Sequence, residues 1–188
     1  LNLDFANSKE LDSRITFYRD SIATYYDSKG VLKYANVNEP RFDDDPLTGE
    51  SKGLLIEEAR TNDKPYSEHM PNQLGTDLGG HWKANYAKAP NGKYEASALF
   101  GTSGNVSSRA STGTTGANTY TYSFYAKDNG SGRFSFWAYS SGWVYSNGFE
   151  WQLDGTLTRT GTYDDTIIQL VGDGWARVSV TWTTPGNG

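Results

Sequence analysis

Aromatic residues recurring at every second position constrain this chain more than any other feature. Tyr120, Tyr122, Phe124 and Ala126 alternate with Thr121, Ser123, Tyr125 and Lys127, which is the side-chain period of a strand buried on one face. Phe134, Phe136, Ala138 and Ser140 alternate in the same way with Ser135, Trp137, Tyr139 and Ser141, and Phe149, Trp151 and Leu153 with Glu150, Gln152 and Asp154. Over 175–182, Ala176, Val178, Val180 and Trp182 alternate with Arg177, Ser179 and Thr181. Between these runs stand turn formers: Asp128-Asn129-Gly130-Ser131-Gly132, Ser146-Asn147-Gly148, Asp154-Gly155 and Gly172-Asp173-Gly174. Helix signals are poor, and the best apolar-periodic stretch, 54–60, is short and uncapped. The expectation is an all-β fold, a sandwich or barrel.

Composition divides the chain near residue 66. Residues 1–66 hold 13 acids and 9 bases but only 3 of the 21 glycines, whereas all six Trp lie in 67–188. The first part reads as hairpins, 23–27 with 31–35 about Ser28-Lys29-Gly30, and 41–45 with 53–58 about Pro46-Leu47-Thr48-Gly49-Glu50. It is expected to pack on a β module spanning 67–188. The stretch 101–118, nearly all small and polar, reads as one strand with long loops, and Asp164-Asp165 as a turn.

Several chemistries are excluded or weak. The chain has no cysteine, so disulfides, thiolate metal sites and cysteine nucleophiles are absent. A net charge of −5 argues against a nucleic-acid footprint. No apolar run is long enough to span a bilayer as a helix, so membrane insertion is not expected. The N-terminus shows no basic and apolar secretion signal, and the absent initiator Met reads as an excised segment. Neither a G-x-S-x-G elbow nor a phosphate-binding G-x-x-x-x-G-K-[ST] loop occurs. His69 and His81, in a loop-like region beside Glu68 and Asp77, read as ordinary surface histidines. Glu57 and Glu58 are adjacent and face opposite ways on a strand. Glu150 and Asp154 share a face, but their backbones are roughly 13 Å apart, too far for the paired carboxylates of a glycosidase. No enzyme is expected. Asp43, Asp44, Asp45 and Glu50 gather oxygen ligands of the kind Ca²⁺ takes; Asp43, Asp45 and Glu50 are the candidate set, and a tight turn is the simpler account.

The aromatics carry the functional reading. With 120/122/124 and 134/136 in the core register, Tyr125, Trp137 and Tyr139 fall on the opposite face, followed at once by Trp143 and Tyr145. Rings amid Ser, Asn and Arg suit sugars, whose axial C–H groups stack on a ring while rim polar groups meet the hydroxyls. The candidate platforms are Trp137, Tyr139, Trp143 and Tyr125, with Tyr145, Arg109, Gln152 and Glu150 as hydroxyl partners. Trp82, Trp151, Trp175 and Trp182 are assigned to packing.

A series of motifs runs through the first third: Leu3-Asp4-Phe5, Arg14-Ile15-Thr16-Phe17-Tyr18-Arg19, Ala23-Thr24-Tyr25-Tyr26-Asp27-Ser28-Lys29-Gly30, Asn38-Glu39-Pro40-Arg41-Phe42-Asp43, Asp45-Pro46-Leu47-Thr48-Gly49-Glu50 and Gly53-Leu54-Leu55-Ile56-Glu57-Glu58-Ala59-Arg60-Thr61-Asn62. This series resembles the leader of bacteriophage and prophage tail-fibre and head-fibre-like proteins, which carry a lectin-like module directly after it. Trp82, Ala89-Pro90-Asn91-Gly92, Ala96, residues 120–127 and 172–181 resemble that module more loosely. The resemblance implies a jelly-roll β-sandwich like that of carbohydrate-binding modules, without a catalytic centre, in which any calcium is structural. It implies a virion protein assembled in the bacterial cytoplasm, with polysaccharide or oligosaccharide, other virion subunits and further copies of itself as partners. Such modules continue past the Trp-Ala-Arg-Val strand, so the chain, ending at Thr184-Pro185-Gly186-Asn187-Gly188, is expected to lack a closing strand. The rival readings are a purely structural virion subunit and a glycan-degrading enzyme.

Overall fold

The computed structural model describes residues 3–63, 68, 75–77, 80–101, 107–109, 117–140 and 143–184; for 75–77, 107–109, 139–140 and 143–144 it describes the backbone. Among the described residues there is no helix. Fourteen strands build several small antiparallel sheets: β1 (Ala23–Tyr26), β2 (Leu32–Ala35), β3 (Phe42–Asp44), β4 (Ser51–Leu54), β5 (Gly75–Asp77), β6 (His81–Lys88), β7 (Tyr94–Phe100), β8 (Ser107–Arg109), β9 (Thr119–Lys127), β10 (Arg133–Ser140), β11 (Trp143–Trp151), β12 (Leu157–Thr162), β13 (Asp165–Gly172) and β14 (Trp175–Thr183). Neighbours pair as β1-β2, β3-β4, β5-β8, β6-β7, β10-β11-β12 and β13-β14-β9.

The two three-stranded sheets pack face to face in a sandwich-like arrangement. Their shared core takes Ala138, Phe149, Leu157 and Tyr163 from one side and Ala176, Val178 and Val180 from the other. Rings cross the gap: Tyr122 stacks on Phe136 at 5.3 Å, Phe124 meets Phe134 edge-on at 5.7 Å, and Trp182 meets Tyr163 at 6.2 Å. Each such pair adds about 1 kcal/mol beyond the area it buries. The 120–126 and 134–138 alternations are therefore the two halves of one ring layer. The Tyr163 hydroxyl fastens this layer from within. It accepts the Ala138 N–H at 3.0 Å and lies 3.2 Å from the Phe136 carbonyl and 3.0 Å from that of Tyr145, either of which can take its proton.

Several local expectations change. Ser146-Asn147-Gly148 is not a turn but lies mid-strand in β11. The fully buried Asn147 donates from Nδ2 to Thr166 Oγ1 at 3.1 Å, tying β11 to the start of β13. Asp165 opens β13 rather than closing a turn, and His81 opens β6, where its ring stacks on Phe100 at 5.6 Å. The second N-terminal hairpin is shorter than its pattern suggests: β4 ends at Leu54, and only Leu55 N–H continues toward the Arg41 carbonyl, at 2.9 Å. His69 lies outside the described residues, as does 101–118 apart from Gly101, the β8 backbone and 117–118.

The N-terminal hairpins interlock with each other and dock on the sandwich. Gly30, with φ +72°, sits so close to the Pro46 carbonyl that a Cβ there has no room, and Gly49 makes the reciprocal approach to Ser28. A second core then joins Tyr26 and Leu32 of the first hairpin to Val171 and Trp175, with Ala96 and Tyr125 packed against it. Polar contacts reinforce it: Tyr26 and Tyr125 hydroxyls meet at 2.8 Å, Trp175 Nε1 donates to the Lys88 carbonyl at 3.1 Å, and Leu32 N–H donates to the Pro90 carbonyl at 3.2 Å. Tyr125 and Arg177 are paired in the ladder, on the parity opposite to Phe124 and Val178 of the main core. The hairpins thus cover one end of the outer face of the β13-β14-β9 sheet.

Candidate functional site: an exposed indole on a hydroxyl-rich sheet face

The outer face of the β10-β11-β12 sheet is free of that covering. Ladder register defines its rows: Arg133 opposite Glu150 opposite Thr158, Ser135 opposite Gly148 opposite Thr160, and Trp137 opposite Ser146 opposite Thr162. Trp137 is 72% exposed, far more than the rings of its own strand that face the core. A β strand needs no indole there for folding, because Phe134, Phe136 and Ala138 supply the buried side. In its own row and the row toward Gly148 the ring has short hydroxyl residues as neighbours, Ser146 and Thr162, then Ser135 and Thr160. Gly148 keeps the middle row open, since a Cβ at that position would collide with Thr160 Oγ1. The result is a flat ring with donors and acceptors at its rim, the surface a pyranose can stack on.

The other expected partners distribute unevenly. Tyr125 is not on this face: it is half-buried against Tyr26 in the second core, so it is a packing residue. Tyr145 is also turned inward. Its register opposite Ala138 puts it in the main core, stacked on Tyr163 at 5.9 Å, with its hydroxyl donating to the Thr183 carbonyl at 3.0 Å. Glu150 and Arg133 are ladder partners that pair at 3.4 Å at one end of the face. Gln152 lies in the exposed β11–β12 turn, where Nε2 donates to Thr158 Oγ1 at 3.4 Å. Tyr139 pairs with Val144 and Trp143 with Ser140 in the backbone ladder, and Arg109 pairs with Gly75; their side chains lie outside the described residues. Sequence reading missed the hydroxyl rows of β12, because Thr158, Thr160 and Thr162 carry no aromatic alternation to mark a strand.

The two carboxylates sharing a strand face in the sequence are each held by a neighbour. Glu150 is held by Arg133, and Asp154 accepts the Thr156 N–H at 2.9 Å as the cap of its turn, which lowers its pKa through that hydrogen bond first. The calcium candidates are likewise committed. Asp43 accepts the Tyr26 N–H at 2.8 Å. Asp44, buried between strands, takes Lys9 in an ion pair at 2.6 Å. Asp45 accepts the N–H groups of Leu47 at 2.9 Å and Thr48 at 3.0 Å and pairs with Lys52. Those backbone bonds, ahead of the lysine, hold the Asp45 carboxyl far below the usual range. Glu50 is exposed, and its N–H donates to Thr48 Oγ1 at 3.2 Å. These residues brace a turn and do not fit a calcium ion. Among the described residues no group of three or more His, Asp or Glu is placed to hold a metal. Compared with protein-family models, with curated proteins and with solved structures, the chain matches none of them.

Proposed function

We propose that this chain is a non-catalytic carbohydrate-binding module of a phage fibre protein, with a jelly-roll sandwich that adsorbs to host-surface or environmental polysaccharide. The observation that carries the reading is the bare Trp137 indole on a face where Ser135, Ser146, Thr160 and Thr162 are its ladder neighbours. The leader-like motifs of the first third support the fibre context. Binding at one such ring is weak, and presentation of several copies multiplies it. A glycan array followed by affinity electrophoresis tests the proposal. The wild type is expected to be retarded by at least one polysaccharide, and Trp137→Ala to lose about tenfold in affinity, the equivalent of one lost stacking contact. Because the ring is exposed, thermal stability should stay within about 0.5 kcal/mol of wild type. Absence of any sugar signal from the wild type, or equal retardation of the variant, rejects it.

A second reading, a structural subunit of the virion, is favoured by the exposed Tyr18, Ile22, Val37 and Ile56 of the N-terminal third.

A further inference from the structure

Residues 15–19 have the character of a strand but no ladder partner. Their exposure alternates, with Ile15, Phe17 and Arg19 half-buried and Thr16 and Tyr18 exposed, as expected for an extended segment lying on the molecule. Tyr18 is 77% exposed. One edge of this segment faces its own chain: Arg19 N–H donates to Asn38 Oδ1 at 3.0 Å, and Asn38 N–H returns to the Arg19 carbonyl at 2.9 Å. In an extended chain, residues of the other parity aim their N–H and C=O groups at the opposite edge. Among the described residues the backbone groups of Thr16 and Tyr18 have no hydrogen-bond partner. An open edge of this kind is a template for another strand.

We propose that residues 15–19 pair antiparallel with the same segment of a second copy of this chain, centred on Phe17. Two constraints select that register. Edge parity requires Thr16 and Tyr18 to exchange hydrogen bonds with residues of like parity, which excludes any register setting even residues against odd ones. Charge then chooses among the remainder. Just beyond the ends of the segment, Arg14 lies in a turn with its N–H on Asp12 Oδ1, and Asp20 lies in a bend. There, centring on Thr16 brings Asp12 toward Asp20, a like-charge pair, whereas centring on Phe17 brings each Arg14 side chain toward Asp20 of the second copy. Opposed charges across a ladder stabilise and like charges destabilise. Asp20 is exposed and, among the described residues, has no ion-pair partner. Arg14 uses Nε and Nη2 on Asp12, and among the described residues its Nη1 has no partner. The same register places Tyr18 opposite Thr16, an aromatic against a β-branched residue, twice over. The contact is isologous, so it closes at two copies.

Sedimentation velocity of the whole chain over a micromolar-to-millimolar series tests this. A reversible dimer that weakens with added salt is expected. Asp20→Arg turns both charge pairs repulsive and should weaken it about tenfold; adding Arg14→Asp should restore it. Thr16→Pro deletes an edge N–H and should also weaken the dimer, whereas Thr16→Ala, which keeps that N–H, should not. Circular dichroism of each variant verifies that the fold is retained. A monomer throughout overturns the proposal. So does a dimer or higher oligomer indifferent to Asp20→Arg and Thr16→Pro, or an Asp20→Arg defect that the charge swap leaves unrepaired.

Discussion

The hydroxyl of Tyr163 is one atom on which three backbone groups of two neighbouring strands converge. Burial pushes its pKa up to about 12, opposed only by the Ala138 N–H. The folded-state value therefore lies above the ordinary value of 10.0. Its stabilising contribution is complete below pH about 10 and is lost as the pH rises toward about 12. Tyr34 is raised to about 12 as well, first by burial and then by Glu68, and acts in the same window. Urea unfolding as a function of pH should thus show stability falling above pH about 10. Tyr163→Phe removes the acceptor for the Ala138 N–H and the donor to the Phe136 or Tyr145 carbonyl, so it should cost about 1 kcal/mol at neutral pH. It should also flatten part of the alkaline decline, and equal slopes in variant and wild type would argue against the assignment.

At the level of elements, the β11–β12 pair depends on Gly161. Its φ of +104° lies where side chains are strained, and a Cβ would meet the Ser146 carbonyl oxygen at 2.6 Å. Gly161→Ala should destabilise by about 2 kcal/mol in a denaturant melt, with the loss in hydrogen-exchange protection concentrated in β11 and β12. How legible these elements were follows from what filled them. The strands around 120–127, 134–140 and 175–182 announced themselves because large rings or β-branched residues recur at period two on a buried face. β12 did not, being a threonine-rich edge with Leu157 its one buried residue. Ser146-Asn147-Gly148 has the composition of a turn, yet tertiary demands govern it: Asn147 ties two strands across the core and Gly148 makes room for Thr160. The faces of β10 were readable within that strand. The face of Tyr145 was not, because it depends on ladder register, which sets Tyr145 beside Ala138 and only Ser146 beside Trp137. The candidate site was accordingly legible in its ring and illegible in its hydroxyl surroundings.

At the scale of the whole molecule, the second core joins the N-terminal hairpins to the sandwich. Trp175, buried between them and bonded to the Lys88 carbonyl, is the residue on which that union turns. Trp175→Ala should cost about 3–5 kcal/mol. Calorimetry should show the single wild-type transition broadening or dividing as the hairpins melt ahead of the sheets; a uniform downward shift of one sharp transition would show that the two parts are coupled by other contacts. The docked hairpins occupy the outside of one sheet, while Trp137 stands on the outside of the other. A load between a surface gripped at Trp137 and whatever holds the hairpins therefore crosses the thickness of the sandwich, shared between the Tyr122–Phe136 and Phe124–Phe134 ring contacts and the chain links at 128–132 and 163–164. Packing between the two faces thus decides how far such a tether yields before the two short links between the sheets are drawn taut.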